Sequence, residues 1–254
     1  MEYNLPMPRQ SRLIALGECH HITQRGNGKQ IVFHDDKDKE KYLEYLLQYS
    51  KEYELSILVY SLMPNHVHHI VVPAKQDSIA KTFKYTHGAY AQYYNKKHER
   101  SGHLWQGRFY SCILDPEHLY CAVRYIERNP VRAGLVQKPW DWNFSSVSAH
   151  LGKIKEEPFG LRKIFGFMDI LPEEWKFYID SAEDEKDVEL FKKHTKTGRP
   201  LGEKKFIDKL EKRFNISLVT RAKGRPGKKK KKNEDPKRTP QRHFSDKKCS
   251  SKSF

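Results

Sequence analysis

Apolar and polar side chains follow two different periods along residues 13–130. A spacing of three to four residues is typical of helices, whereas short apolar runs bounded by turn residues are typical of strands. Pro64-Asn65 is a turn between two such runs and predicts a hairpin. In chain order, the pattern predicts a strand over 13–23, a helix over 36–53, strands over 55–63 and 66–72, a helix over 78–98 capped by Ser78, a strand over 103–114 and a helix from 116 to about 129.

This order of elements predicts an α+β fold of the ferredoxin-like or RRM-like type. In that fold, an antiparallel sheet, here of four to five strands, is covered by helices. The apolar positions that can build a core lie within about the first 150 residues. We therefore expect a folded domain over 8–150, an acidic helical connector over 151–191, a short helical extension over 192–220 with a helix at 203–214, and a disordered basic tail over 221–254.

The charge is distributed very unevenly along the 254 residues. The net charge is +16, and apolar residues make up only 37% of the chain. Residues 1–150 carry 19 basic and 15 acidic side chains, residues 151–191 carry 6 and 11, and residues 192–254 carry 23 and 6. A local excess of positive charge is the expected footprint of a polyanion, because neutralised phosphates release counterions. Nucleic acid is therefore the expected partner.

Membrane and secreted classes do not fit the sequence. The longest nearly apolar run, residues 57–63, is far shorter than the roughly 20 residues that span a bilayer. The basic tail has neither an apolar face nor a lipidation signal, and the N-terminus does not have the pattern of a secretory signal. We expect a cytoplasmic, nucleoid-associated protein with no membrane partner. The cysteines lack the paired spacing of a zinc site and are expected to be free thiols: Cys19, Cys112, Cys121 and Cys249.

Two histidines at alternate strand positions are candidate metal ligands. Side chains alternate along a strand, so His66 and His68 share one face while His69 points to the other. Two imidazoles on one face can chelate a metal, although a strand histidine also often has a purely structural role. We assign His69 that structural role. A divalent site needs a third oxygen or nitrogen ligand.

The helix that starts near residue 116 can bring further groups to such a site. Tyr125 and Asn129 lie one turn apart on one stripe of this helix. A tyrosine one turn from a possible ligand suits a phenolate nucleophile beside a metal that polarises a phosphate. Spacing alone does not single out Tyr125, because Tyr90, Tyr93 and Tyr94 fit as loosely.

Several separated motifs occur together in this chain. They are RGN at 25–27, MPNHVH at 63–68, GHLWQGRF at 102–109, YIERNPVRAG at 125–134, and WDW at 140–142 followed by two serines at 145–146. This joint pattern over about residues 8–150 resembles the HUH single-tyrosine transposases, specifically the REP-associated tyrosine transposase branch. A match of separated motifs in the family's order is far more specific than the His-Val-His triplet alone.

The resemblance implies a mechanism and a ligand set. His66, His68 and Asn129 would hold a magnesium or manganese ion, Mg²⁺ or Mn²⁺, and Tyr125 would be the nucleophile. The protein would cleave and rejoin single-stranded, hairpin-forming repeat DNA through a 5′-phosphotyrosine link, without a nucleotide cofactor. It would act as a monomer or a homodimer, which the sequence leaves open. The residues expected to contact DNA in this part of the chain are Arg25, Asn27, Arg108, Arg128 and Arg132; Glu127 is expected to be solvated or salt-bridged.

The tail contains a second motif. Gly224-Arg225-Pro226 resembles the core of an AT-hook, in which an extended Arg-Pro segment lies in a narrow minor groove. Nonspecific phosphate binding is favoured instead, because Lys223 stands where an arginine usually precedes the motif. The candidate DNA-binding residues of the tail are Arg225, Lys228, Lys229 and Lys230. A similar Gly198-Arg199-Pro200 indicates either a DNA-binding helical element or a linker to a docking helix.

Two other functions fit the same fold. A catalytically silent module could bind DNA or RNA, because an open four-stranded sheet with aromatic side chains also suits RNA. A metal-dependent nuclease that uses water would keep the histidines but would not need Tyr125. The presence of His66, His68, Tyr125 and Asn129 in one chain favours the strand transferase.

Overall fold

A computed structural model describes residues 12–154 and 159–218. Its four strands form one antiparallel sheet in the order β2-β3-β1-β4. With one helix between β1 and β2 and another between β3 and β4, this is the ferredoxin-like order, so the predicted fold class is confirmed. The strands are β1 (Cys19–Arg25), β2 (Leu55–Met63), β3 (His66–Pro73) and β4 (Tyr110–Leu114).

Helices cover both faces of the sheet. The first two pack on one face, and later helices pack on the other, where they share a core with β1, β3 and β4. In chain order the helices are α1 (Asp36–Glu52), α2 (Ser78–Lys97), α3 (Pro116–Glu127), α4 (Asn129–Arg132), α5 (Val147–His150), α6 (Pro172–Asp180), α7 (Glu185–Thr197) and α8 (Lys204–Phe214).

The start of α3 follows from local chemistry. The Asp115 carboxylate accepts the backbone N–H of His118 at 2.8 Å, and Pro116 occupies the first turn. The predicted cap of α2 at Ser78 is wrong. The cap position is Asp77, and the Ser78 hydroxyl instead accepts the backbone N–H of Lys75 at 3.0 Å, which fixes the preceding turn.

The strand predicted over 103–114 is correct only in its last part. β4 begins at Tyr110, and the preceding residues form a loop rather than a strand. This loop is held by the indole of Trp105, whose N–H donates to the backbone carbonyl of His87 at 3.1 Å. Packing of this one large aromatic side chain therefore takes precedence over the local apolar pattern.

The core extends well beyond residue 150, contrary to the sequence-based expectation. Trp175 on α6 and Phe191 on α7 are almost completely buried in the same cluster as Val123 and Ile126 of α3. These segments are rich in acidic residues on average, but they contribute large apolar side chains to the core. The boundaries expected at 150 and 191 stay predictions.

The segment around Gly198-Arg199-Pro200 attaches α8 to the edge of the sheet. Gly198 ends α7 with a φ of 71°, which favours glycine. Leu201 then pairs in parallel with Leu114, and its N–H donates to Ile113 at 2.8 Å. Leu210 of α8 is fully buried near the same edge. This geometry favours the linker to a docking helix over a DNA-binding element.

Some sequence-based predictions fall outside the described residues. Arg225, Lys228, Lys229, Lys230 and the AT-hook-like motif belong to this part of the chain, as does Cys249. Among residues that the structure does describe, Cys19, Cys112 and Cys121 are free thiols. None of the helices described is long and apolar enough to cross a membrane.

Candidate active site

The alternation of β3 places two histidines on the face of the sheet that α3 covers. The ring centroids of His66 and His68 lie 5.0 Å apart, with their planes almost perpendicular. His66 is partly buried at the first position of the strand, whereas His68 is buried. His69 points to the opposite face and packs against Phe83 of α2. The predicted division of the three histidines between two faces is therefore what the structure has.

Tyr125 and Asn129 reach these histidines from α3 and α4. The ring of Tyr125 lies 5.9 Å from that of His68, and the Nδ2 of Asn129 lies 3.1 Å from Nε2 of His66. Asn129 precedes a proline, and the helix breaks at Arg128, so Asn129 begins a new short helix. The structure brings together the four residues that the sequence singled out for metal binding and nucleophilic attack.

Both histidines are held in the neutral form. Burial lowers the pKa of His66 to about 4, helped by the positive charges of Arg25 and Arg132. Burial also lowers the pKa of His68 well below its usual value. A neutral imidazole has one nitrogen lone pair, which is what a metal ligand needs. Two imidazoles and an amide fit a divalent cation by donor chemistry.

The hydrogen bonds of the side-chain amides of Asn65 and Asn129 indicate which atoms could bind a cation. Nδ1 of His66 lies 2.6 Å from the side-chain Oδ1 of Asn65 and can donate to it, which leaves Nε2 as the acceptor. The Asn129 amide nitrogen donates to that Nε2. Its oxygen, the atom that a cation would bind, lies 3.4 Å from a guanidinium nitrogen of Arg132.

Tyr125 lies in a mostly apolar environment with positive charge on its ring faces. Its ring is 4.9 Å from that of Phe191, and the guanidinium of Arg132 lies 3.9 Å from its centroid. The Lys192 ammonium is 5.8 Å from the same centroid. Burial raises the pKa of Tyr125, and Arg132 opposes that shift. The phenol therefore needs additional positive charge nearby to ionise at neutral pH.

Two of the predicted DNA-contacting arginines make contacts within the protein. Arg128 donates to the backbone carbonyl of Ile179 at 2.7 Å, and its Nε lies 3.6 Å from the Glu183 carboxylate. Arg132 pairs with Glu183 at 2.7 Å but is exposed. Arg128 thus ties the active-site helices to α6, while Arg132 can still face a ligand.

The other three predicted DNA contacts, Arg25, Asn27 and Arg108, are all exposed. Arg25 is the cross-strand neighbour of His66, so it lies at the same end of the sheet. The backbone N–H of Asn27 donates to Leu104 at 2.8 Å, which joins two of the sequence motifs. A Cβ on Gly26 would meet the backbone oxygen of Gln30 at less than any allowed contact distance, so this turn requires glycine.

Comparison with known proteins agrees with this geometry. Residues 18–129 match the family model described as "Transposase IS200 like". Over this span the chain is therefore similar to the IS200-like transposases. The matched span contains both histidines, Tyr125 and Asn129, and the predicted resemblance to this class of transposases is confirmed.

Two solved structures are similar to parts of the chain. One is a REP-associated tyrosine transposase bound to a REP hairpin, with 18% identity over 60% of this chain and 90% of the other, and a TM-score of 0.49. The second is a candidate transposase from Deinococcus radiodurans R1, with 17% identity over 41% of this chain and 84% of the other, and a TM-score of 0.33. The comparison with curated proteins gave no match.

Of the two alternatives expected for Glu127, solvated or salt-bridged, the first is wrong, and the second agrees with its contact to the ring of His150. Glu127 is completely buried rather than solvated, and it accepts hydrogen bonds from three side chains. The donors are His150 at 2.5 Å, Ser146 at 2.8 Å and Trp175 at 3.0 Å. The signal was available, because Leu119, Val123 and Glu127 follow each other at four-residue intervals along the core-facing stripe of α3.

The sequence does not single out a third histidine, His21, that contacts the candidate ligand His68. Nε2 of His21, on β1, lies 2.8 Å from Nδ1 of His68, directly behind the candidate ligand pair. The doubled histidine at 20–21 is a weak signal, since alternation puts one of the two on each face of the sheet. Its pairing with His68 depends on strand register, which the sequence does not specify.

Proposed function

We propose that this protein is a metal-dependent endonuclease and strand transferase for single-stranded, hairpin-forming DNA, and that Tyr125 forms a 5′-phosphotyrosine intermediate. The observation that supports this most strongly is the convergence of Tyr125, Asn129, His66 and His68 at one end of the sheet. The convergence lies within the span that is similar to the IS200-like transposases, whose family implies a divalent-metal dependence.

The ligands of the metal ion would be His66, His68 and Asn129. A bound Mg²⁺ or Mn²⁺ would supply positive charge that polarises the scissile phosphate and favours the phenolate of Tyr125. The lowered pKa values of the two histidines support this assignment, since protonated imidazoles would repel a cation. The amide of Asn129 adds an oxygen donor without adding a charge.

Tyr125 would carry out the bond exchange. Its phenolic oxygen attacks the phosphorus, the new tyrosyl–phosphate bond forms, and the bond from phosphorus to the 3′ oxygen breaks. The departing oxygen takes up a proton as a 3′-hydroxyl. The phosphotyrosine ester keeps the energy of the phosphodiester, so a 3′-hydroxyl can reverse the step and join strands. Burial of the ring against Phe191 limits the access of competing water.

Exposed arginine and asparagine side chains would hold the DNA. Arg25, Asn27, Arg108 and Arg132 are exposed and can reach phosphates, which position a nucleic acid without reading its sequence. Arg128 has a structural role in this proposal because it already binds the carbonyl of Ile179. The basic tail over 221–254 would add salt-dependent affinity.

A denaturing gel separates this proposal from the alternatives. Labelled single-stranded hairpin DNA is incubated with the protein and Mn²⁺, and a covalent protein–DNA band is expected. Tyr125→Phe should abolish the band, and the matched control Tyr110→Phe, at an exposed tyrosine of β4, should retain it. Cleavage that survives Tyr125→Phe would show a water-using nuclease. Binding without cleavage would show a silent module, and either result overturns the proposal.

A further inference from the structure

A chain of hydrogen bonds runs from His68 across β1 to helix α7. Nδ1 of His68 lies 2.8 Å from Nε2 of His21, and Nδ1 of His21 lies 3.0 Å from the hydroxyl of Thr195. All three side chains are buried. The two imidazoles stack, with centroids 5.1 Å apart and an interplanar angle of 12°. These contacts fix the orientation of each ring.

The chain can hold its protons in two arrangements. In the first, Thr195 donates to His21, His21 donates to His68, and the remaining proton of His68 is on Nε2. In the second, His21 donates to Thr195, His68 donates to His21, and Nε2 of His68 keeps its lone pair. Only the second arrangement makes His68 a metal ligand. It requires Thr195 to act as the hydrogen-bond acceptor at the end of the chain.

The same helix also fixes the position of the proposed nucleophile. Phe191, one turn before Thr195 on α7, lies 4.6 Å from the ring of His21 and 4.9 Å from the ring of Tyr125. One face of α7 therefore contacts both the partner of the metal ligand and the tyrosine. This helix lies beyond the span that is similar to the IS200-like transposases, which ends at residue 129.

We propose that His21 and Thr195 are positioning residues that keep the lone pair on Nε2 of His68 available to the metal. Helix α7, which carries Thr195, therefore contributes to the active site. The inference rests on the proposed function, because it needs a cation held by His66 and His68. It assigns a specific role to a helix that composition marked only as part of an acidic connector and extension.

The test is a Mn²⁺ titration of the full chain without DNA, followed by electron paramagnetic resonance. His21→Phe keeps a ring but removes the acceptor for His68, and should weaken Mn²⁺ binding by about 10-fold or more. Thr195→Val removes only the hydroxyl at the far end of the chain and should weaken binding by a few-fold, less than the roughly 10–100-fold that loss of a direct partner of a ligand costs. Thr195→Ser restores the hydroxyl and should restore affinity.

Thr86→Val is the matched control, because the Thr86 hydroxyl is buried and has no hydrogen-bond partner in the described part of the chain. It should leave Mn²⁺ affinity at the wild-type value. If Thr195→Val and His21→Phe lower the melting temperature but bind Mn²⁺ like wild type, their role is only structural and the inference is wrong. If wild type itself binds no Mn²⁺ and forms no DNA adduct, the proposed function fails with it.

Discussion

The two faces of β3 each carry a histidine cluster, and the clusters differ in what their ring nitrogens contact. On the α3 face, Nε2 of His66 lies 3.1 Å from the amide nitrogen of Asn129, and the ring of His68 lies 5.9 Å from that of Tyr125. On the other face, Nε2 of His69 and Nε2 of His87 both lie 3.1 Å from the hydroxyl of Tyr42. The cluster on the α3 face can bind a ligand, whereas on the other face the Nε2 atoms of His69 and His87 already contact the hydroxyl of Tyr42.

Burial does not distinguish the two clusters. Burial lowers the pKa of His87 to about 3 and that of His66 to about 4, so the imidazoles are neutral on both faces. The distinction lies in the helices that cover each face. Helices α1 and α2 supply Tyr42 and His87 as partners, whereas α3 supplies a tyrosine and α4 an amide next to a charged surface. The side chains on the covering helices, and not burial, therefore determine which histidines can bind a metal ion.

The largest expected difference between the faces concerns DNA cleavage. His66→Ala removes a proposed ligand from a partly buried position, and Mn²⁺-dependent cleavage should fall by about 100-fold or more. The melting temperature should change little, because His66 is not part of the packed core. Cleavage rates and thermal unfolding measured on the same preparation check this. Retention of wild-type cleavage would remove His66 from the site.

On the other face of β3, a substitution should lower stability and leave Mn²⁺ binding unchanged. His87→Ala leaves a gap beside Trp105, whose ring lies 4.8 Å away, and removes one partner of Tyr42. The free energy of unfolding should drop by about 2–3 kcal/mol. Mn²⁺ affinity should stay unchanged in the fraction that remains folded. Urea unfolding and Mn²⁺ titration test both statements, and a loss of Mn²⁺ affinity would contradict the division of roles.

Buried neutral histidines away from the proposed ligands predict acid sensitivity. Burial lowers the pKa of His20 to about 4 and that of His87 to about 3. The unfolded chain, with a histidine pKa near 6.5, binds more protons than the folded protein in this range, so stability rises with pH. Each group should lower the free energy of unfolding by about 1.4 kcal/mol per unit as pH falls from 6.5 towards these values.

Urea unfolding at several pH values measures this dependence. His87→Phe, which cannot titrate, should give a shallower slope between pH 6 and pH 4 than the wild type. An equal slope in the two proteins would show that His87 is not held neutral by the fold.

The smallest expected effect concerns Glu183. Its negative charge raises the pKa of Tyr125, and it also pairs with Arg132. Glu183→Gln should therefore lower the pKa of Tyr125 and move the rising limb of the pH profile of cleavage, on which Tyr125 loses its proton, to lower pH. Stability should change by about 1 kcal/mol or less, since such a pair is near the surface. A shift of the limb to higher pH would contradict this electrostatic assignment.

The sequence predicts the order of the strands and the two faces of β3, because alternation and helical spacing are local properties. It places the starts of β1 and β4 too early, at 13 and 103, whereas the strands begin at Cys19 and Tyr110. It predicts that His66 and His68 share one face of β3, as they do, but it places Tyr125 and Asn129 on one helix, whereas the helix breaks between them at Arg128. His21 was not predicted, because its contact with His68 depends on the register between β1 and β3.

The largest error concerns the region after residue 150. Trp175 and Phe191 lie among acidic residues, and their burial depends on a docking surface formed by α3 and the sheet. The burial of Glu127 is not predicted for the same reason, since its partners His150 and Trp175 come from later parts of the chain. Long-range packing of this kind leaves little signal in local composition.

The most direct measurement maps the DNA attachment site by mass spectrometry. The covalent complex formed with single-stranded hairpin DNA and Mn²⁺ is digested with nuclease and protease, and the peptides are sequenced. We expect one modified peptide, with the 5′-phosphate of the cleaved strand on Tyr125. Attachment to another side chain, or cleavage products with no attached peptide, would contradict it.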